Sequence, residues 1–272
     1  MLTARDNTPL LHRPYLATNK RPPWYKDKFF YLNLVRRSLA EFLGTGLFVF
    51  TAVSALSGAE DRESVAIAAG LAQGLCYGAL VAAMMHVSGG HFNPAVTLGV
   101  LLAGGINVVA SLCYFLAQLV GGIVGAACVL AYDTGSNSSA LEYGVTRLNS
   151  NLSPMQGILV ELLLTFLLVT VFLHTTMEKT EMRPVAPVLI GLALTAAVIS
   201  SHSLTGGSLN PARSLGPATV ASRDHHNPWR HHYVYWVGPL IGGFLSGAFY
   251  RLILSSHPLI PITEPETVRT TG

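Results

Sequence analysis

The chain has 272 residues, half of them hydrophobic and only 11% charged, with a mean hydropathy of +0.45 and a formal net charge of +3. So little charge does not clothe a water-soluble globule of this length, which excludes a soluble enzyme or nucleic-acid-binding domain and places the chain in a bilayer. Three cysteines, Cys76, Cys113 and Cys128, all fall inside apolar runs, so neither a disulfide framework nor a metal site follows from their spacing.

In chain order, residues 34–56, 65–85, 108–132, 155–176, 185–200 and 234–254 are apolar over lengths suited to a hydrocarbon core of about 30 Å. They read as six membrane spans. Two further apolar segments, 93–103 and 210–220, are about 11 residues long and reach only halfway across at 1.5 Å per residue. They read as half-helices, each entered through a glycine-rich turn, Ser88-Gly89-Gly90 and Thr205-Gly206-Gly207. Non-helical backbone at membrane depth is tolerated only where it packs in protein or lines a wet cavity, so these turns are expected to face a pore. The predicted fold class is an all-α membrane protein with six transmembrane helices and two re-entrant half-helices. Its layout is a tail at 1–33, a first repeat at 34–132, a connecting loop at 133–154, a second repeat at 155–254 and a tail at 255–272.

Eight of the 17 basic residues precede or open the first span, which by the positive-inside bias puts both tails in the cytosol. The loop after the third span then lies outside, where it carries two glycosylation sequons, at Asn137 and Asn151. His225, His226, His231 and His232 sit before the sixth span on the same side and are expected to form a solvated loop; His202 lies nearer the outer mouth.

Three motifs recur in the same order in the two halves. Glu41-Phe42-Leu43-Gly44-Thr45 is matched by Glu161-Leu162-Leu163-Leu164-Thr165; Asn93-Pro94-Ala95 is matched by Asn210-Pro211-Ala212, 52 and 49 residues after the respective glutamate; a glycine-rich helix follows each. This is an internal repeat, and with an odd number of spans per half it is inverted. Asparagine is a favoured N-cap and proline a favoured first helical residue, so each Asn-Pro-Ala starts a helix. Two inverted copies bring two positive helix ends together near the midplane, with the Asn93 and Asn210 amides able to donate to a passing solute. Water held by such donors loses the donor–acceptor chain that protons need, and the dipoles repel cations. Arg213, one turn into the second half-helix, is expected to face the pore, because its guanidinium has no other partner at that depth. Glu41 and Glu161 are expensive in a membrane helix and need a reason, which their equivalent positions make a shared one.

On His91-Phe92-Asn93-Pro94-Ala95-Val96-Thr97 and Ser208-Leu209-Asn210-Pro211-Ala212-Arg213-Ser214, the chain resembles the aquaporins of the major intrinsic protein family, over about residues 34–254. Within that family it looks most like the eighth vertebrate class, associated with ammonia and peroxide as well as water. The resemblance implies that Glu41 and Glu161 accept hydrogen bonds from the re-entrant backbone, that Gly89, Gly90, His91, Gly206 and Ser208 line the path, and that Gln73, Val198, Gly207 and Arg213 form the constriction. Gln73 departs from the Phe or His usual there. Ser214, Ala218, Tyr235 and Trp236 match the water-channel pattern rather than glycerol facilitators. A homotetramer with one pore per subunit is implied, and no cofactor.

The expected function is passive passage of water and small neutral solutes, with ammonia, hydrogen peroxide and urea as candidates. A glycerol-type facilitator, a secondary transporter and a non-conducting junction protein are the alternatives. The spans carry almost no charge beyond Arg213 and the two glutamates for a transporter to use, and no nucleophile, base and orienting group share one depth as an enzyme requires.

Overall fold

The computed structural model describes residues 28–56, 62–131, 144–177, 183–221 and 227–255. The first sequon, the N-terminal basic segment before Lys28, and His225 and His226 lie outside these residues. Among them, eight α-helices follow in order: α1 (Lys28–Ser54), α2 (Arg62–Met84), α3 (Pro94–Ala103), α4 (Val108–Leu130), α5 (Pro154–Met177), α6 (Ala186–Thr205), α7 (Pro211–Val220) and α8 (Val234–Phe249), the last extended by a π-helical turn over Tyr250–Leu254. No described residue is in a strand.

Five of these stretches are long and apolar enough to cross a membrane, namely Ser64–Met84, Val108–Leu130, Pro154–Met177, Arg183–Thr205 and Val234–Leu254. Helix α1 is the sixth. Its hydropathy is diluted by Arg36, Arg37 and Glu41, yet Val35, Leu39, Leu43 and Leu47 form an exposed stripe along it at every fourth position. Leu112, Leu116, Val120 and Val124 repeat that stripe on α4, and Met155, Leu159, Leu163 and Leu167 repeat it on α5. Rows of large apolar side chains turned outward, with glutamate, glutamine and arginine turned inward, are the reverse of a water-soluble bundle and fit a lipid surround.

The half-helices are α3 and α7, of 10 residues each. Each starts at its proline, one residue later than the sequence pattern suggests, because asparagine is the cap: Asn93 accepts from Ala95 N, and Asn210 from Ala212 N and Arg213 N. Helix α3 ends on Gly104 at φ 86°, a left-handed cap that glycine adopts without steric cost. The fifth span runs five residues past its predicted end, since nothing breaks it before Gly206, whose N–H caps His202 O at φ 85°.

Packing runs both within each repeat and across the boundary between them. Helix α1 lies along α4, α2 along α6 and α5 along α8, while half-helix α3 leans on α8 and half-helix α7 on α4. Glycines set these crossings. A Cβ at Gly122 of α4 would stand 2.5 Å from Ala212 O, and one at Gly243 of α8 would stand 2.3 Å from Ala95 O. Both contacts are on backbone carbonyls, which have no rotamer to escape into. Gly243→Ala is therefore expected to push α8 off α3, destabilising the protein by about 1–3 kcal/mol. A lowered unfolding temperature in detergent with a matching drop in water flux checks this, and a variant as stable as the wild type refutes the contact.

Candidate functional site

Two buried carboxylates hold the two re-entrant turns in near-identical fashion. Glu41 Oε1 accepts from Ser88 Oγ at 2.6 Å and His91 N at 3.0 Å, and its Oε2 accepts from Phe92 N at 2.6 Å. Glu161 Oε1 accepts from Thr205 Oγ1 at 2.6 Å and Ser208 N at 3.1 Å, and its Oε2 from Leu209 N at 2.7 Å. These bonds answer why a carboxylate sits in each membrane helix: a turn that leaves helical geometry frees backbone N–H groups, and an acceptor-only side chain collects them. Phe92 and Leu209 stand at φ 47° and 53°, a left-handed conformation uncommon for side-chain-bearing residues. The paired carboxylate bonds are what hold them there.

A tyrosine supports each turn from behind. Tyr114 OH donates to Ser88 O at 2.7 Å and Tyr235 OH to Thr205 O at 2.9 Å. Gly90 and Gly207 both take positive φ, and a Cβ on either would press on its own neighbouring valine: Val81 Cα at 3.3 Å for Gly90, and Val198 Cγ1 at 3.1 Å for Gly207. Gly89 likewise has positive φ.

The two half-helix starts meet. Asn93 Nδ2 donates to Leu209 O at 2.8 Å and Asn210 Nδ2 donates to Phe92 O at 2.9 Å, a crossed pair linking residues 116 and 118 apart in sequence. The amides therefore serve the fold as well as any passing solute. One N–H of each is spent on the opposite loop and one is left over, since an amide has two. Pro94, Ala95, Pro211 and Ala212 are all buried at this junction.

The halves differ in what surrounds this frame. In the first, His91 Nδ1 lies 3.1 Å from Thr97 Oγ1, Tyr77 OH bonds His91 O, and Gln118 Nε2 donates to Glu41 Oε2 and Thr97 Oγ1. In the second, Ser208 Oγ lies 2.5 Å from Ser214 Oγ, which accepts from Thr146 Oγ1 at 2.8 Å. Arg213 belongs to the second half alone. It is 1% exposed; its Nη1 donates to Gly144 O at 2.7 Å and its Nε to Gln73 Oε1 at 3.3 Å. A guanidinium only donates, so the Gln73 oxygen must face it and the Gln73 amino group faces away. That amino nitrogen is buried without a protein partner. A buried amide donor is costly to leave unmade, so it calls for a water or a solute.

Several of these residues gave no advance notice. Gln118 and Tyr114 were visible as polar groups in an apolar span, whereas Gly144 and Thr146 belong to a loop whose return to Arg213 has no sequence signal. Among the expected residues, Ser214 and Tyr235 join the network and Val198 stands against Gly207. Ala218 is buried in α7, and Trp236 is turned to α4, its ring 6.3 Å from that of Phe115. Asn151 is exposed beyond the start of this frame. Cys76 and Cys113 are half-buried and Cys128 is exposed. His232 departs from the expected solvated loop: it is 7% exposed, its ring 4.9 Å from that of Trp229, and burial pushes its pKa below the ordinary histidine value. No cluster of metal ligands occurs among the described residues.

Comparison with known proteins agrees with this geometry. A family model described as Major intrinsic protein matches residues 28–250. The chain is 41% identical over 226 residues to Aquaporin TIP4-1 of Zea mays, covering 80% of this chain and 85% of that protein. It is 33% identical over 233 residues to Aquaporin-8 of Mus musculus, covering 84% and 86%. The X-ray structure of the aquaglyceroporin from Plasmodium falciparum superposes with a TM-score of 0.69 at 26% identity, covering 81% of this chain and 97% of that one. The chain belongs to the major intrinsic protein family, and its fold is that of an aquaporin.

Proposed function

We propose that this protein passes water and small neutral solutes through each subunit, between the crossed asparagines and a constriction formed by Gln73, Val198, Gly207 and Arg213. The crossed Asn93 and Asn210 bonds support this reading most directly, because they bring two helix N-termini, each worth about half a positive charge, to one point. Their two leftover N–H groups orient a passing molecule as acceptor, and a molecule so oriented does not relay a proton. The relatives named Aquaporin TIP4-1 and Aquaporin-8 fit the same reading.

At the constriction, Gly207 contributes no side chain and Val198 is compact, so width comes from absence. Chemistry comes from the unpartnered Gln73 amino group beside Arg213. A path that is wide, polar and uncharged apart from one guanidinium suits ammonia, hydrogen peroxide and urea beside water. Ser214 rather than a carboxylate after Arg213 argues against a glycerol facilitator. The assembly is a homotetramer in the plasma membrane, with both tails cytosolic and Asn151 on the outer face, where its exposed side chain is open to glycosylation.

The test is reconstitution in liposomes, comparing osmotic shrinkage, ammonia-driven alkalinisation and peroxide entry for wild type and Gln73→His. One hydrogen bond is worth about 1 kcal/mol net, or about fivefold in rate, so the ratios between solutes are expected to move by about that factor. Equal scaling of all three rates reassigns Gln73 to helix packing.

A further inference from the structure

On the face that carries the loop before α5 and the loop before α8, a cavity of about 190 Å³ opens between the two loops. None of its lining residues belongs to the constriction. At about 30 Å³ per water, it has room for roughly six waters, or for a small oxyanion with part of its hydration. Arg147 lines it from one loop and Arg230 from the other, together with Asn149, Ser150, Asn227 and His231. Among the described residues, no carboxylate lines it.

Two of the acceptors in this wall are already engaged. Asn149 Oδ1 accepts from Asn151 N and Asn227 Oδ1 from Trp229 N, both at 2.9 Å. The walls are also tied down: Asn149 N donates to Leu204 O and Asn149 Nδ2 to Ser203 O, fastening the first loop to the end of α6, and Arg230 N donates to Asn227 O. Two guanidiniums, one from each loop, line this hollow, and a planar guanidinium matches an oxyanion with two parallel N–H bonds. On the same turn, Trp229 and Tyr233 are 43% and 52% exposed. Exposed aromatic rings beside arginine mark the depth of lipid headgroups.

We infer that the cleft between Arg147 and Arg230 is a binding site for a phosphate oxyanion, borne by a phospholipid headgroup or free in solution. Both arginines are solvent-exposed, so the affinity is modest and falls with ionic strength. In the first arm, inorganic phosphate is titrated against chloride at constant ionic strength into the purified full-length protein in detergent. In the second, the protein is released from vesicles of phosphatidylglycerol in phosphatidylcholine, and retained lipid is read by native mass spectrometry. Saturable stabilisation by phosphate assigns a free oxyanion, and preferential retention of phosphatidylglycerol assigns a headgroup. In either case, Arg147→Gln with Arg230→Gln is expected to weaken binding by about tenfold or more for each charge-assisted hydrogen bond removed. Arg183→Gln, on another loop, leaves binding unchanged. Arg147→Lys with Arg230→Lys keeps the charge without the fork and falls between. Unchanged water flux shows that the double variants remain folded. Indifference to phosphate and to phosphatidylglycerol alike, or an equal response from the glutamine pair, overturns the assignment.

Discussion

Glu161→Leu is expected to leave almost no monodisperse protein after detergent extraction. Leucine fills the space but accepts nothing, so Ser208 N and Leu209 N lose their acceptor inside the membrane and Thr205 Oγ1 keeps only Ser201 O at 3.5 Å. An unmade buried hydrogen bond costs about 1–3 kcal/mol, and two lost with a third weakened take a large share of a typical total stability of about 5–15 kcal/mol. The same change strands four donors at Glu41, of which Gln118 Nε2 keeps a second acceptor in Thr97 Oγ1. Glu41→Leu is therefore expected to be at least as damaging. Glu161→Gln retains one carboxamide oxygen and is expected to lose less than the leucine variant, because a single acceptor still serves two donors. Fluorescence-detected gel filtration and unfolding temperature read this ranking. A leucine variant that extracts as well as the wild type removes the carboxylate from its supporting role.

The ranking rests on a geometry that was partly legible before any coordinates. Asn-Pro-Ala declared both half-helices to within one residue, because cap and first-turn preferences act within a few bonds of the residue that carries them. The glutamates were equally conspicuous, since a charge in an apolar run is rare enough to demand a partner. The crossed bonds of Asn93 and Asn210 were not legible. Nothing local distinguishes an amide that points at a solute from one that reaches a carbonyl more than a hundred residues away. The Arg213 clasp through Gly144 was hidden for the same reason, its acceptor being a backbone oxygen of the kind every residue owns. His232 is the converse case. A histidine-rich loop reads as wet, whereas the edge-on packing of Trp229 and Tyr235 against the His232 ring takes it out of water.

Arg213→Val is expected to open the passage to cations and protons that the wild type rejects. The guanidinium is buried beside Gln73 and Gly144, so a cation passing within about 4 Å meets a repulsion of about 4 kcal/mol at an effective dielectric of 20. Removing it raises cation leak by up to about a thousandfold, at 1.4 kcal/mol per tenfold. Valine also leaves Gly144 O and Gln73 Oε1 without a donor, and the space vacated favours larger solutes. Arg213→Lys separates charge from shape. A lysine keeps the positive field but not the planar fork that reaches Gly144 and Gln73 at once, so it is expected to keep cations out while shifting the ratios among neutral solutes. Liposomes holding a pH-sensitive dye under an imposed potassium potential read the leak, and osmotic shrinkage of the same preparation shows that each variant is folded and open. If Arg213→Val stays free of current with solute ratios unchanged, the barrier to ions resides wholly at the two asparagines. The arginine would then serve only to tie the loop at Gly144 to α2.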